Sequence, residues 1–437
     1  MEILLCLIYA AIFILLIFKM KFFNLPGVSR ILISGVFVLK IIFGVLLWAI
    51  YTFYYTDRAT ADIYKYFDDS KIMYEALFVQ PLDYFKMLFG IQLHDIEHYF
   101  MQMNHWYREN DAGLYNDSHS IIRFNALVRL FSLGYYNVHT VFICFISLIG
   151  LIAFYKTFIK EIQKNKKEIF MAVFLLPSIL FWGSGVLKDG LLLFTFGLTF
   201  YFFIQFLYAE SSRIKSFLAF IFFAFLLSIT KPYIFIAIVP GMAAYCWVAY
   251  RGEKHIGLKF LSLHLIYFSI IFNMHYISPG YNVPEILHRK QGEFFSLVKE
   301  TKPGSYIQIN KIDPDFNSLL KNTPQALSNT FFNPSVLKAK SPIVLLAAVE
   351  NIFIMLIILI SLLSFDIRKP LKPLFYFAFF FVILVFTLIG ITTPIVGAMV
   401  RYKAIASMFL LIGLLTFYDQ DILFHRFSLL LKKVKRK

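Results

Sequence analysis

Long apolar runs, separated by polar segments, recur along almost the whole chain. A helix needs roughly 20 apolar residues to cross roughly 30 Å of hydrocarbon, and inside lipid a helix satisfies its own backbone hydrogen bonds. The pattern therefore predicts an all-α polytopic integral membrane protein with about eleven spans. They are predicted near 2–19, 31–55, 137–156, 168–183, 190–208, 215–230, 233–250, 259–277, 342–364, 373–392 and 404–419.

Two long polar segments interrupt the predicted single transmembrane domain, which covers residues 1–437. The segment 56–120 is rich in carboxylates, and we expect an external acidic loop that carries interfacial helices. Its aromatic pairs at 99–100 and 106–107 are candidates for packing on the membrane surface, and 120–132 has the amphipathic pattern of an interfacial helix. The segment 278–341 contains six prolines and is predicted to be an irregular external cap loop.

Composition agrees with a membrane protein, since 59% of the residues are hydrophobic, 16% are charged and the mean hydropathy is +0.71. A soluble domain cannot bury that much apolar surface. The formal net charge of +16 is explained by Lys and Arg in alternate loops and in the basic tail, so no nucleic-acid partner is expected. Basic loops mark the cytoplasmic side, which predicts an external N-terminus and a cytoplasmic C-terminus.

Polar residues concentrate at the predicted outer ends of the spans. The first group is the acidic stretch 56–77; the second is the hairpin 177–190, with Lys188 and Asp189 at its tip. The third is the turn around Lys231, and the fourth is 392–403, whose cations enter the last helix from outside. Each cation could simply reach lipid headgroups from a helix end. Together, however, the four groups predict one external site where a carboxylate accepts a proton and cations neutralise a departing phosphate.

Three of these segments resemble a known family. DIYKYF, beginning at Asp62, is similar to the first external loop of GT-C glycosyltransferases, multi-span enzymes that use polyprenyl-phosphate sugars. GAMVRYKAIASMFLLI, at 397–412, resembles the Arg-Tyr segment before the final span of bacterial members. PSILFWGSGVLKDG, at 177–190, is similar to a signature of bacterial envelope glycosyltransferases and polysaccharide polymerases.

The resemblance implies a GT-C-like glycosyltransferase in the bacterial cytoplasmic membrane. It would move a sugar from a polyprenyl-phosphate-linked donor to a glycan, lipid or protein acceptor on the outer face, among membrane lipids. Asp57 or Asp62 is the expected catalytic base. The donor is expected to be held by residues of three segments: Lys188, Asp189, Lys231, Arg401, Tyr402 and Lys403. A divalent ion, Mg²⁺ or Mn²⁺, could be held by three carboxylates of the acidic loop: Asp68, Asp69 and Glu75.

Alternative functions draw on other residues. A repeat-unit polysaccharide polymerase would depend on arginines, here Arg58, Arg123 and Arg401. A transporter or flippase would need polar residues at mid-depth, where Lys40 and Glu350 form either a structural pair or a coupling site. The segment HDIEH at 94–98 matches a short zinc-protease pattern, but without a third ligand we interpret it as a solvated loop.

Overall fold

The computed structural model describes residues 1–107, 116–159, 161–208, 212–366, 370–424, 426 and 428. The basic tail at 429–437 and the part of the acidic loop at 108–115 lie outside the described residues.

Over the described ranges the fold is all-α, without β-strands. Its helices are α1 (Glu2–Lys19), α2 (Arg30–Ala49), α3 (Asp62–Val79), α4 (Pro81–Phe89), α5 (Glu97–Phe100), α6 (Ser118–Ser132), α7 (Tyr136–Phe158), α8 (Lys166–Phe174), α9 (Pro177–Trp182), α10 (Lys188–Tyr208), α11 (Arg213–Thr230), α12 (Pro232–Arg251), α13 (Ile256–Phe272), α14 (Val283–Thr301), α15 (Phe316–Phe332), α16 (Pro342–Ser364), α17 (Pro373–Thr392) and α18 (Val396–Leu415).

In this part of the chain, ten helices are long and apolar enough to cross a membrane, which confirms the polytopic membrane class. They are α1, α2 with its extension to Tyr54, α7, α10, α11, α12, α13, α16, α17 and α18. The predicted span at 168–183 is instead two short helices, α8 with nine residues and α9 with six. Pro177 begins α9; a proline lacks an N–H and disfavours helical geometry in the residue before it, so the helix is interrupted there.

Two further boundaries differ from the prediction. The last span begins at Val396 and not near 404, so Arg401 and Lys403 lie inside α18 instead of leading into it. The hydropathy pattern excluded these residues because a charged side chain in lipid is costly unless it finds partners. The segment 278–341 is not irregular, because it contains α14 and α15, of 19 and 17 residues.

Contacts between Cα atoms divide the chain into two compact units. The first comprises Met1–Thr157, Val173–Leu175 and Ile179–Phe235, and the second comprises Phe158–Ala172, Leu176–Ser178 and Ile236–Lys437.

In the first unit, α7 and α10 run parallel in close contact. A Cβ on Gly190 would lie 2.5 Å from the side chain of Ile143, and a Cβ on Gly197 would lie 1.9 Å from the carbonyl oxygen of Gly150. Because the contacts occur in the same order along both helices, α7 and α10 begin at the same end of the unit. The helix α1 also begins there, because Glu2 Oε1 accepts hydrogen bonds from the N and Nδ2 atoms of Asn137, at 2.8 and 3.0 Å.

In the second unit, α15 packs antiparallel to the end of α17. Thr330 Oγ1 donates to Phe386 O at 2.9 Å, and a Cβ on Gly390 would lie 2.1 Å from Ala326 O. The segment before α15 is fixed beside the α17–α18 turn, because Ile307 N donates to Pro394 O at 2.8 Å. The second half of the predicted cap is therefore a helix that packs along a candidate span.

The glycine contact predicts a sharp difference between two otherwise similar substitutions. In Gly197→Ala the new methyl group would meet the backbone of Gly150, so the helices must separate, and we expect a loss of about 1–3 kcal/mol in the free energy of unfolding. Gly35→Ala, in α2, meets nothing within 4 Å and is expected to be neutral or slightly stabilising. Thermal unfolding of both variants in detergent measures the difference. Equal unfolding temperatures would contradict the close contact of α7 and α10.

Candidate functional site

The central feature of the first unit is a carboxylate between two lysines. Lys188 Nζ lies 2.7 Å from Asp117 Oδ1, and Lys231 Nζ lies 3.3 Å from Asp117 Oδ2. The exposed fractions of the three side chains are only 9%, 5% and 13% for Lys188, Lys231 and Asp117. Lys188 also donates to Ser118 Oγ at 3.4 Å and lies 5.5 Å from the centre of the Tyr66 ring. These contacts bring two ammonium groups and one carboxylate together in a largely buried place.

Chain geometry explains why these three residues meet. Asp117 precedes α6, and its side chain makes no capping hydrogen bond, so its carboxylate is directed to the lysines. Lys231 follows α11 with a non-helical backbone (φ −150°, ψ 82°), and the helical region is disfavoured for the residue before a proline such as Pro232. Lys188 is the first residue of α10 and follows directly on the turn that ends α9. All three residues therefore lie at helix ends.

The turn before Lys188 is held by a buried residue of α2. Lys40 is fully buried, and its Nζ donates to Gly183 O at 3.1 Å. Cys144 Sγ lies 3.4 Å from Ser184 O, and a Cβ on Gly185 would lie 2.7 Å from Leu47. These contacts from α2 and α7 fix the backbone that leads into Lys188, so the position of the lysine in the cluster depends on them.

Asp57 and Asp62, the two candidate bases, differ in their surroundings. Asp62 is the first residue of α3 and lies close enough to Lys188 for an electrostatic interaction. Asp57 accepts hydrogen bonds from Thr60 Oγ1 at 2.7 Å and from Ala59 N at 3.1 Å, an arrangement that stabilises its own turn. The hydrogen bond from Thr60 lowers the pKa of Asp57, and a lowered pKa makes a carboxylate a weaker base. Asp62 thus interacts with a lysine of the cluster, whereas these hydrogen bonds of Asp57 lie within its own turn.

The carboxylates proposed to hold a divalent ion have separate partners. Asp68 accepts two hydrogen bonds from Arg58, at 2.6 and 3.1 Å, and Glu75 lies 3.4 Å from Lys71. Asp69 is buried and accepts from the backbone N atoms of residues 104 and 105. Among the described residues, no three His, Cys, Asp or Glu side chains form a group that could hold a metal ion. The metal site therefore stays a prediction from the sequence.

The segment HDIEH lacks the single helix that a zinc pattern needs, because 94–98 is split between a 3₁₀ turn and α5.

The remaining predicted residues differ in how the structure uses them. Asp189 is buried in the first turn of α10, where a carboxylate is favoured by the helix dipole. Arg401 is buried in α18, and the Tyr402 ring lies 6.4 Å from that of Phe294. Arg401, Tyr402 and Lys403 belong to the second unit.

Lys403 has an evident structural role. Its Nζ donates to Thr330 O at 3.0 Å, to Asn333 O at 2.7 Å and to Asn351 Oδ1 at 2.8 Å. A lysine ammonium has three protons to donate, and all three are used here.

Lys40 and Glu350, considered above as a structural pair or a coupling site, each have other partners. Lys40 Nζ donates to Gly183 O, whereas Glu350 accepts from the N and Oγ atoms of Ser178.

Sequence reasoning missed Asp117, the residue that joins the two lysines. The only signal for it was an aspartate immediately before an amphipathic helix, and this signal points to a helix cap as readily as to a site.

Comparison with protein-family models, with curated proteins and with solved structures gives no match. The family resemblance therefore rests on the three sequence segments alone.

The buried cluster predicts that neutralising its carboxylate is costly. Asp117→Asn would remove the negative charge that both buried lysines contact, and breaking a buried pair costs about 3–5 kcal/mol of unfolding free energy. Asp68→Asn, which breaks a pair with 43% of the Asp68 side chain exposed, should cost at most about 1 kcal/mol. Denaturant unfolding of the two variants tests this. A smaller loss for Asp117→Asn than for Asp68→Asn would argue against the cluster.

Proposed function

We propose that the protein is a membrane glycosyltransferase of GT-C type that transfers a sugar from a polyprenyl-phosphate-linked donor. The acceptor is an envelope glycan, a lipid or a protein on the outer face of the bacterial cytoplasmic membrane. The observation that carries the proposal is the buried convergence of Lys188 and Lys231 on Asp117, with Asp62 within electrostatic reach of Lys188. Two lysines from different helix ends form a receptor for an anionic group, and a lipid-borne phosphate is the anion that a membrane-embedded chain meets.

The proposed reaction assigns a role to each of these groups. An acceptor hydroxyl attacks C1 of the sugar, the bond from C1 to the phosphate oxygen breaks, and polyprenyl phosphate departs. Asp62 takes the proton of the hydroxyl as general base. Lys188 and Lys231 neutralise the negative charge that grows on the departing phosphate. In this scheme the phosphate takes the place of the Asp117 carboxylate between the two ammonium groups, and Asp189 helps to orient Lys188.

Other candidate residues fit the proposal less directly. Asp57 stabilises its own turn, and Lys403 has no proton left to donate to a donor phosphate. Arg401 and Tyr402 are retained as proposed contacts for the donor, on the strength of the sequence resemblance. A role for Mg²⁺ or Mn²⁺ at the carboxylates of the acidic loop likewise rests on the sequence.

The alternative functions have weaker support from the geometry. For a polymerase that depends on arginines, Arg58 is already engaged by Asp68, and Arg123 donates to Met87 O at 2.9 Å and lies 5.4 Å from the Trp106 ring. For a transporter, Lys40 already donates to Gly183 O, and Glu350 already accepts from Ser178. We therefore favour the transferase.

We further propose eleven membrane crossings, with the N-terminus outside and the C-terminus in the cytoplasm. Because α7 and α10 run parallel, the chain between Phe158 and Lys188 must return across the bilayer. The segment 166–182, with α8 and α9, would supply this crossing as an interrupted helix. Discontinuous spans of this kind occur where neighbouring helices satisfy the freed backbone groups.

The transferase proposal predicts that Lys188→Met and Lys231→Met each lose activity. Loss of a group that stabilises charge in a transition state lowers turnover by about 100-fold or more. In cells that lack the gene and carry each variant, mass spectrometry of lipid-linked saccharides should show the accumulated donor. Asp62→Asn should behave in the same way.

The matched control is Lys71→Met, which removes a lysine from an exposed pair with Glu75. It should restore the normal lipid profile. Thermal unfolding of each purified variant separates lost activity from lost folding. Full restoration by a folded Lys188→Met or Lys231→Met variant would refute the proposed phosphate site.

The proposed membrane crossings predict that two exposed positions lie on opposite sides of the membrane. A cysteine in place of Glu75, in the external loop that follows the span α2, should react with a membrane-impermeant thiol reagent in intact cells. A cysteine at Lys164, just before α8, should react only after the membrane is opened. Reaction of both positions in intact cells would mean that α7 does not carry the chain across the bilayer. A cysteine at Ser212, just before α11, should be shielded like the one at Lys164; its reaction in intact cells would mean that the chain does not return across the bilayer between α7 and α10.

A further inference from the structure

A short helix of the first unit exposes an apolar face that spans of the same unit do not cover. The end of α3, the helix α4 and the segment just after it carry six exposed large apolar side chains, with exposed fractions from 48% to 77%: Phe78, Val79, Leu82, Phe85, Phe89 and Ile91. The opposite face of α4 is packed inside, because Tyr84 and Met87 are buried. Tyr84 OH donates to Ala126 O at 3.3 Å, and Arg123 Nε donates to Met87 O at 2.9 Å, so α4 is fixed on α6.

The helix α6 continues this apolar surface towards the membrane spans. Its side chains Leu127, Leu130 and Phe131 are all at least 40% exposed. Phe131 O accepts a hydrogen bond from Tyr9 OH of α1 at 2.9 Å, and the Phe131 ring lies 5.8 Å from that of Phe142 in α7. Both α1 and α7 are candidate spans, and α1 leaves most of its apolar side chains exposed. The exposed stripe of α6 thus connects α4 with a surface that faces lipid.

We infer that α4 and the exposed stripe of α6 lie flat in the boundary between headgroups and acyl chains of the bilayer. With nine residues, α4 is about 13 Å long and too short to cross the membrane. A continuous patch of this size in water would be unfavourable. The charged side chains of the segment pair with one another, since Lys86 Nζ lies 3.7 Å from Asp83 and 3.9 Å from Asp95. An amphipathic helix at this boundary buries its apolar face by about 5–10 Å.

This surface coincides only in part with the interfacial positions expected from the sequence, because Leu127 and Leu130 of the amphipathic pattern 120–132 are exposed but other expected positions are buried. Phe100 and Trp106 are buried and stack on each other, with ring centres 4.2 Å apart. Ile121 and Ile122, from the amphipathic pattern of 120–132, are fully buried. The lipid-binding surface is therefore built from α4 and from the later residues of α6. The inference does not depend on the proposed transferase function.

The test is spin labelling of the full chain in vesicles of phosphatidylcholine and phosphatidylglycerol. Nitroxide labels are attached to single cysteines at Phe85, Phe89 and Leu130, in a background without Cys6, Cys144 and Cys246 that unfolds at the parental temperature. Oxygen concentrates in the bilayer, whereas a nickel chelate stays in water. We expect the ratio of oxygen to nickel accessibility at all three positions to exceed severalfold that of the control position Glu75, which is polar and exposed on α3.

Two results would overturn the inference. If the labels at Phe85 and Phe89 are as accessible to the nickel chelate as the label at Glu75, the apolar face lies in water. If they are immobile and accessible to neither reagent, another protein surface, such as a second copy of the chain, covers the face instead of lipid.

Discussion

Much of this structure depends on one constraint: the backbone carbonyl oxygens at the ends of interrupted helices need hydrogen-bond donors. A helix that ends among apolar side chains leaves its last carbonyl groups without partners, and each such group is costly unless it accepts a hydrogen bond. Two buried lysines meet this need. Lys40 donates to Gly183 O, directly after α9, and Lys403 donates to Thr330 O and Asn333 O at the end of α15. A cation at a helix C-terminus is also favoured by the helix dipole. Buried charge in these spans thus stabilises breaks in the helices.

The same reasoning separates the structural lysines from the candidate site. Lys403 is saturated by neutral oxygen atoms, which an incoming anion would have to displace one by one. Lys188 and Lys231 instead share one carboxylate, and a phosphate offers similar oxygen atoms with the same sign of charge. In the proposed exchange a phosphate would replace the carboxylate beside both ammonium groups, and the displaced Asp117 carboxylate would have to reach water or take up a proton. That difference is the physical reason for assigning function to one group of lysines and structure to the other.

Hydropathy predicts what is local in this fold and misses what depends on distant partners. Ten of the predicted spans coincide with long apolar helices, because a crossing requires a continuous apolar run. The start of α18 was placed too late because Arg401 and Lys403 look unfavourable until their surroundings are known. The packing of α15 on α17 was missed because the sequence of α15 contains Pro324 and many polar residues, which do not suggest a packed helix. Asp117 was missed because its two partners are more than 70 residues away along the chain.

The helix interruption at Pro177 and the position of Lys188 belong to one arrangement of the chain. An uninterrupted helix through 166–188 would leave no turn at Gly183–Leu187, and the backbone there could not approach α2 closely enough for Lys40 to reach Gly183 O. With the break, the chain turns tightly against Leu47 and Ile143, and α10 begins at the end of the unit where Asp117 lies. Glycines are needed at this turn because a Cβ at Gly183 or Gly185 would collide with neighbouring side chains. The motif PSILFWGSGVLKDG therefore combines the features that end one helix with the residue that begins the candidate site, which explains why its proline, glycines and charges occur together.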